Sequence, residues 1–218
     1  MDINSFIQNV CIYALPVLFA ITLHEAAHAY AAKKFGDPTA FLMGRMTLNP
    51  IKHIDPLGTI ALPLLCLLLP GSFLFGWAKP VPVNFGDLRN PKRDMRWVAL
   101  AGPAANLVMG ILWTLVLGAV IHAAEGDFMF PLRQMAQAGV QINVVLMVLN
   151  LIPIPPLDGG RILVSILPIK AAQTVARIEP YGMIIVLVLM MTKVLFLVMS
   201  PFMALTFQFL QLFLRPFL

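Results

Sequence analysis

Long apolar runs separated by short polar stretches dominate the pattern of this sequence. A membrane-spanning helix requires about 20 apolar residues, and several runs approach or exceed that length. The candidate segments are 10–32, 57–75, 97–121, 139–152, 182–199 and 201–218. The pattern predicts an all-α integral membrane protein, a polytopic helix bundle of about five to six membrane segments, in which 201–218 either crosses the membrane or lies in its interface.

The stretch between the first and third long runs has a different character. Residues 39–50 (TAFLMGRMTLNP) are rich in Thr and Gly and end in Pro, which predicts strand and turn. The run 57–75 is interrupted by Pro63 and Pro70, which permit a re-entrant hairpin in place of a single crossing. We therefore expect a small strand or re-entrant element here.

Composition agrees with a membrane protein and excludes other classes. Hydrophobic residues make up 60% of the 218 residues and charged residues 11%, against about 45–50% and about 25% in soluble domains. The net charge of +5 comes from Lys and Arg between the apolar runs, as in cytoplasmic loops of membrane proteins. The basic balance therefore indicates a lipid bilayer as the surroundings and no nucleic-acid partner.

The first apolar run contains the motif HEAAH (24–28), which has the form H-E-x-x-H. Helical residues four apart leave the same face one turn apart, so His24 and His28 are placed to bind one zinc ion. Glu25 is placed to act as a general base. Ionisable side chains within a membrane run are costly and usually functional, although a polar cluster between helices or a proton relay is an alternative.

A catalytic zinc usually has three protein ligands and an open fourth position. Asp158 is the best candidate for the third ligand, because three prolines just before it forbid a regular helix and irregular backbone at membrane depth lines a wet cavity or is covered by protein. An Asp that caps a short helix over 159–167 is the alternative. His53 and Asp55 are rival ligands in a polar loop, and His122 is expected at the interface.

The third long run begins with AGPAAN (101–106), in which Gly102 and Pro103 suggest close backbone approach and a kink. Asn106 places an amide inside the membrane. Its side chain either faces a substrate or belongs to helix–helix packing through small residues, and the sequence leaves both open.

Together these motifs resemble the site-2 protease family of intramembrane metalloproteases. HEAAH (24–28), AGPAAN (101–106) and NLIPIPPLDGGR (150–161) are similar to that family's three motifs and occur in the same order. NPIKHIDPLGT (49–59) and GWAKPVPVN (76–84) resemble its compact prokaryotic branch, which lacks a PDZ or CBS domain.

The resemblance implies a zinc-dependent endopeptidase that hydrolyses peptide bonds within or near transmembrane segments of protein or peptide substrates. It implies one Zn²⁺ per chain and one membrane-embedded domain over 1–218, with a catalytic core at about 10–168 and C-terminal helices at about 180–218. The implied roles are zinc ligand for His24, His28 and Asp158, base for Glu25, and substrate-orienting or oxyanion group for Asn106 and Asn150. A metal-ion or proton transporter with the same cluster is the alternative, but transport would require such residues on several helices.

The segment KPVPV (79–83) carries two backbone N–H groups on one edge, those of Val81 and Val83, because proline has none. This edge suits the binding of an extended substrate by strand addition or an ordinary sheet edge.

The charges also predict an orientation in the cell membrane. If 10–32 runs from outside to inside, the basic loop 76–96 lies in the cytoplasm and Glu125 and Asp127 lie outside. Asp158 then returns to the depth of His28, in the cytoplasmic half, provided that 57–75 is re-entrant.

Overall fold

Helices form most of the structure, a computed structural model that describes residues 3–68, 76–122 and 128–217. They are α1 (Ile3–Phe35), α2 (Thr39–Leu42), α3 (Leu62–Leu68), α4 (Pro91–His122), α5 (Met129–Asn150), α6 (Asp158–Ile166), α7 (Ile169–Ala176), α8 (Glu179–Met191) and α9 (Val194–Leu214). A π-helical turn (Pro56–Ala61) leads into α3. The predicted all-α polytopic class is confirmed.

Within the described ranges, three helices are long and apolar enough to cross a membrane: Ile7–Phe35, Pro91–His122 and Val194–Phe217. The pair α7 and α8 makes a fourth if it counts as one broken span, although it bends by 62°. By length and composition these are fewer than the expected five to six. The apolar C-terminal stretch belongs to the third of these spans.

Helix α1 ends at Phe35 for local reasons. Gly36 follows with a φ of 119°, a conformation that glycine adopts without a side-chain clash. Lys33 and Lys34 occupy the last turn, where positive charge is favourable beside the negative end of the helix dipole. The helix therefore stops where the sequence changes from apolar to basic.

The centre of the bundle is formed by α1, α4 and α5, with α6 packed against α4. Small residues make the close approach possible: Ala20, Ala29, Ala99, Ala136 and Gly139 are all buried. Without a water-driven hydrophobic effect between helices, such contacts and buried polar groups hold membrane helices together. This arrangement brings the N-terminal end of α6 to the middle of α1.

The C-terminal helices pack onto the other side of α5. One buried cluster joins α5 to α8 and α9; its members are Val144, Val148, Ile152, Val186, Leu195, Met199 and Leu210. The division into a catalytic core and C-terminal helices within one domain stays a prediction.

The strand predicted for 39–50 is not found; no strand occurs among the described residues. Short helix α2 and tight turns replace it, because the chain satisfies its backbone groups locally. The N–H groups of Leu42 and Met43 donate to the carbonyl oxygens of Pro38 and Thr39. The segment 76–84 has no regular secondary structure and pairs with no other strand in the described ranges.

The two ends of the segment that contains α3, at residues 58–59 and at Trp77, are hydrogen-bonded to each other. Trp77 N–H donates to Gly58 O over 3.1 Å, and the Thr59 hydroxyl donates to Trp77 O over 2.8 Å. Residues 69–75, at the predicted hairpin tip, lie outside the described ranges. A single crossing would separate residues 58 and 77 by the thickness of the bilayer, about 30 Å, so these bonds are the contacts that a re-entrant segment requires.

Candidate metalloprotease site

His24 and His28 lie on the buried face of α1. Their Nε2 atoms are 3.1 Å apart, and both side chains are shielded by α4. The spacing of four residues places the rings one above the other, as the helical repeat requires. The two nitrogens thus point at one common position.

Asp158 completes a three-residue cluster. Its Oδ2 lies 3.2 Å from His24 Nε2 and 3.3 Å from His28 Nε2. No other group of three His, Cys, Asp or Glu ligand atoms of this kind occurs in the part of the chain that the structure describes. The three ligands predicted from the sequence therefore come together, although 130 positions separate His28 from Asp158 along the chain.

The turn before α6 places this carboxylate. Leu157 N–H donates to Ile154 O over 3.0 Å, which folds the proline-rich segment back on itself. A Cβ on Gly159 would collide with the Leu151 carbonyl, and one on Gly160 would collide with the backbone of Pro155. The two glycines let the segment pack against the first turn of α6, so Asp158 faces α1.

The hydrogen bonds on the far side of each imidazole fix its tautomer. His24 Nδ1–H donates to Asn106 Oδ1 over 2.6 Å, and His28 Nδ1–H donates to Val98 O over 2.8 Å. Both acceptors can only accept, so each Nδ1 carries the proton and each Nε2 presents a lone pair.

These atoms fit a zinc ion. Three lone-pair donors lie 3.1–3.3 Å apart, close to the roughly 3.3 Å edge of a tetrahedron with bonds of about 2.0–2.1 Å. Asp158 Oδ2 is buried without a hydrogen-bond partner, which is unfavourable unless a cation satisfies it. Three protein ligands leave a fourth position, the pattern of catalytic zinc sites.

Gly102 on α4 provides the space for the two rings. A Cβ at this position would lie 2.6 Å from His24 Nε2 and closer still to His28 Nε2. The sequence indicated close backbone approach here, and the structure shows that the partners are the imidazoles of His24 and His28.

Glu25 lies next to the cluster with its carboxylate held by the backbone. Its Oε2 accepts a hydrogen bond of 2.7 Å from Val81 N–H. This N–H is one of the two that the sequence placed on a free pairing edge, and in the structure it is already used. The segment 79–81 is fixed nearby, because Lys79 N–H donates to His53 O and the Arg45 guanidinium donates to Lys79 O.

A cavity of about 290 Å³ opens beside the cluster. Apolar side chains of α1, α4, α5 and α8 form much of its wall. Its polar lining comes from His24, Glu25, His28, Asn150, Asp158 and Arg161. Asn150 donates its amide to Leu146 O over 3.0 Å and remains half-exposed toward this space.

Asn106 takes a different position from Asn150. It is fully buried, and besides His24 it contacts Ala20 O at 3.2 Å and Asn143 Oδ1 at 3.0 Å through its amide nitrogen. Its hydrogen-bonding groups are used within the protein. The geometry therefore favours a role in holding His24 over direct contact with a substrate.

The rival ligands lie elsewhere. His53 is buried with its Nε2 bonded to Thr47 O at 2.9 Å, and Asp55 accepts from the N–H groups of Leu57 and Gly58, where it caps the π-helical turn. His122, at the end of α4, is exposed beside Phe217. None of them joins the cluster.

Sequence reasoning missed two contributors to the site, the Asn143 amide and the Val98 carbonyl. Asn143 was passed over, although an amide within the apolar run 139–152 is the same signal that drew attention to Asn106. The Val98 carbonyl is a backbone group that any residue type would supply, so no sequence signal could have found it. The sequence placed the Val81 N–H on a pairing edge but gave no sign that Glu25 accepts from it.

The fold and the site define a multi-pass membrane protein with a metalloprotease centre. Residues 116–193 match Peptidase family M50. The chain is 41% identical over 182 residues to "Putative zinc metalloprotease YwhC" of Bacillus subtilis, covering 82% of this chain and 79% of the relative. It is also 34% identical to "Putative zinc metalloprotease Rip2" of Mycolicibacterium smegmatis and 31% identical to Rip2 of Mycobacterium tuberculosis, each over 82% of this chain and 66% of the relative.

The chain belongs to Peptidase family M50, the site-2 protease family. It is a zinc metalloendopeptidase. The expected enzyme class and zinc cofactor are thus confirmed, and the comparisons give no support to the transporter alternative. No solved structure matches the chain.

Proposed function

We propose that this protease cleaves peptide bonds within or next to transmembrane segments of other membrane proteins. The observation that carries the proposal is the position of the site. Both histidines lie on α1, a helix long and apolar enough to cross a membrane, and much of the wall of the adjoining cavity is apolar. A soluble peptide would have to leave water to reach such a site, whereas a transmembrane segment already lies at the same depth in the bilayer.

His24, His28 and Asp158 are the proposed zinc ligands. A bound zinc ion would polarise the scissile carbonyl and activate a water molecule. Glu25 is placed to accept a proton from the attacking water and to pass it to the leaving amine. The Val81 N–H holds one carboxylate oxygen of Glu25, so the other oxygen remains available for the proton.

Asn150 is the proposed substrate-orienting group, because its side chain is half-exposed at the cavity. Asn106 is proposed to hold His24. An extended substrate has fewer backbone partners in the segment 79–83 than the sequence suggested, since Val81 N–H is bonded to Glu25.

The proposed location is the cell membrane, with the site in the cytoplasmic half. Arg89 N–H donates to Phe35 O over 2.9 Å, so the end of α1 and the start of α4 lie on the same side of the bilayer. This contact supports the proposal that the intervening stretch is re-entrant. The basic residues near these ends favour the cytoplasm.

The test uses purified protein in detergent with a single-span membrane reporter. We expect cleavage that a zinc chelator abolishes and added zinc restores. Glu25→Gln is the matched control, since its amide has the same shape but cannot accept the proton; it should bind zinc and not cleave. Cleavage by Glu25→Gln near the wild-type rate would refute the role of Glu25. Cleavage of a soluble unfolded protein but not of the reporter would refute the membrane substrate.

A further inference from the structure

Asn143 is a fully buried amide on α5 that no part of the proposed mechanism uses. It lies at the end of a chain of side-chain hydrogen bonds that reaches the metal site. Asn106 Nδ2 donates to Asn143 Oδ1 over 3.0 Å, and His24 Nδ1 donates to Asn106 Oδ1 over 2.6 Å. The chain connects α5 through α4 to α1.

The direction of this chain is fixed by backbone carbonyls. Asn143 Nδ2 donates to Gly139 O over 2.8 Å, and Asn106 Nδ2 donates to Ala20 O over 3.2 Å. A carbonyl oxygen can only accept, so each amide must direct its nitrogen at that carbonyl and its oxygen the other way. Reversing either amide would place two acceptors together at a buried site, which is costly.

We infer that Asn143 is a positioning residue that sets the tautomer of His24 from two side chains away. Because every donor in the chain points away from the cluster, His24 carries its proton on Nδ1 and offers the Nε2 lone pair to zinc. The inference rests on the proposed role of His24 as a ligand. Under this inference the Asn143 amide affects metal binding, whereas an amide that only joins two helices would affect stability alone.

Loss of Asn143 would leave one N–H of Asn106 without its acceptor. The Asn106 nitrogen is then held by Ala20 O alone, so reversing the amide becomes less costly than in the wild type, and a reversed amide presents its nitrogen to His24 Nδ1. That contact favours the other tautomer, with the proton on Nε2, where it blocks the metal position.

Thr114 offers a matched control in the same bundle. Its hydroxyl is buried and donates to Gly110 O over 2.8 Å, a bond within one helix that leads to no other side chain. Thr114→Val and Asn143→Leu each remove a buried polar group and largely keep the shape of the side chain.

The test compares zinc affinity by chelator competition in wild type, Asn143→Leu and Thr114→Val. We expect a loss of about 10- to 100-fold for Asn143→Leu, the range for outer partners of metal ligands, and no change for Thr114→Val. NMR of the labelled histidine nitrogens in the metal-free protein should show His24 protonated at Nδ1 in wild type and partly at Nε2 in Asn143→Leu. If the Leu variant does not fold, Asn143→Ala takes its place.

Asn143→Asp provides the rescue. A carboxylic acid in an apolar site stays neutral, so it can donate to Gly139 O and accept from Asn106 as the amide does, and near-wild-type zinc affinity is expected. Wild-type affinity and tautomer in Asn143→Leu, or an equal loss in Thr114→Val, would overturn the inference. His24→Ala distinguishes the two proposals: if that variant keeps its zinc, the proposed ligand set is wrong, whereas loss of zinc there and not in Asn143→Leu refutes the role of Asn143 alone.

Discussion

Gly102→Ala tests how closely α4 approaches the rings of His24 and His28, the proposed zinc ligands. The added Cβ would lie 2.6 Å from His24 Nε2, whereas unstrained contacts lie at about 3.5–4.0 Å. The ring must therefore move by about 1 Å. It cannot do so without breaking its bond to Asn106 Oδ1, and the His28 ring is held in the same way by the Val98 carbonyl.

A shift of this size exceeds the tolerance of a metal site, since ligand distances must lie within about 0.2 Å of their usual values. We expect zinc affinity to fall by at least about 100-fold, the upper end of the loss for outer partners, and cleavage to be lost with it. The fold should survive, because alanine is favoured over glycine in a helix interior by about 1 kcal/mol.

Gly110→Ala is the matched control on the same helix. Its Cβ would meet Leu210 Cδ1 at 3.5 Å, an ordinary contact, so zinc binding should not change. The measurements are chelator competition for zinc and the melting temperature of the metal-free protein. Wild-type zinc affinity in Gly102→Ala would refute the close approach of α4 to the two imidazoles. An equal loss in Gly110→Ala would show that the effect is not specific to the position of Gly102.

Two further predictions concern the base and the topology. Val81→Pro removes the N–H that holds Glu25, a bond worth about 1.5–3 kcal/mol to a charged group, so kcat should fall by about 10- to 100-fold with little change in KM. Val81→Ala keeps the N–H and should retain its kcat; an equal loss in both variants would contradict the role of this bond. Single cysteines at Gly36 and Asn90 should react with a membrane-impermeant reagent from the same, cytoplasmic side, and labelling from opposite faces would rule out a re-entrant segment between them.

Much of the site could be predicted because its chemistry is local in the sequence. The spacing of His24 and His28 follows from the helical repeat, and Asp158 was found because an acidic residue after three prolines is unusual in an apolar stretch. The apolar runs predicted the helical membrane class for the same reason, since the cost of exposing backbone in lipid leaves few alternatives.

The remaining features depend on tertiary contacts that the sequence does not encode at any one position. The strand expected at 39–50 did not form because the Asp37 carboxylate, which accepts from Thr39 N–H, and local turns satisfy the backbone without a partner strand. The substrate-facing role considered for Asn106 depended on what its amide meets, and the structure surrounds it with His24 and Asn143. Pairing of Val81 with Glu25 joins two segments 56 residues apart.

The end of α1 sets the depth at which the proposed cleavage of a membrane helix would occur. His28 lies five residues before Lys33, a rise of about 8 Å along the helix, so the site is only about a quarter of the way through a hydrocarbon core of about 30 Å. A substrate helix cut at that level keeps most of its length in the lipid on one fragment. The other fragment retains roughly five or six apolar residues, far short of the 20 or so that anchor a helix. If the substrate is a membrane helix, as proposed, the position of the two lysines would leave one product anchored in the membrane and would let the other diffuse away from the bilayer.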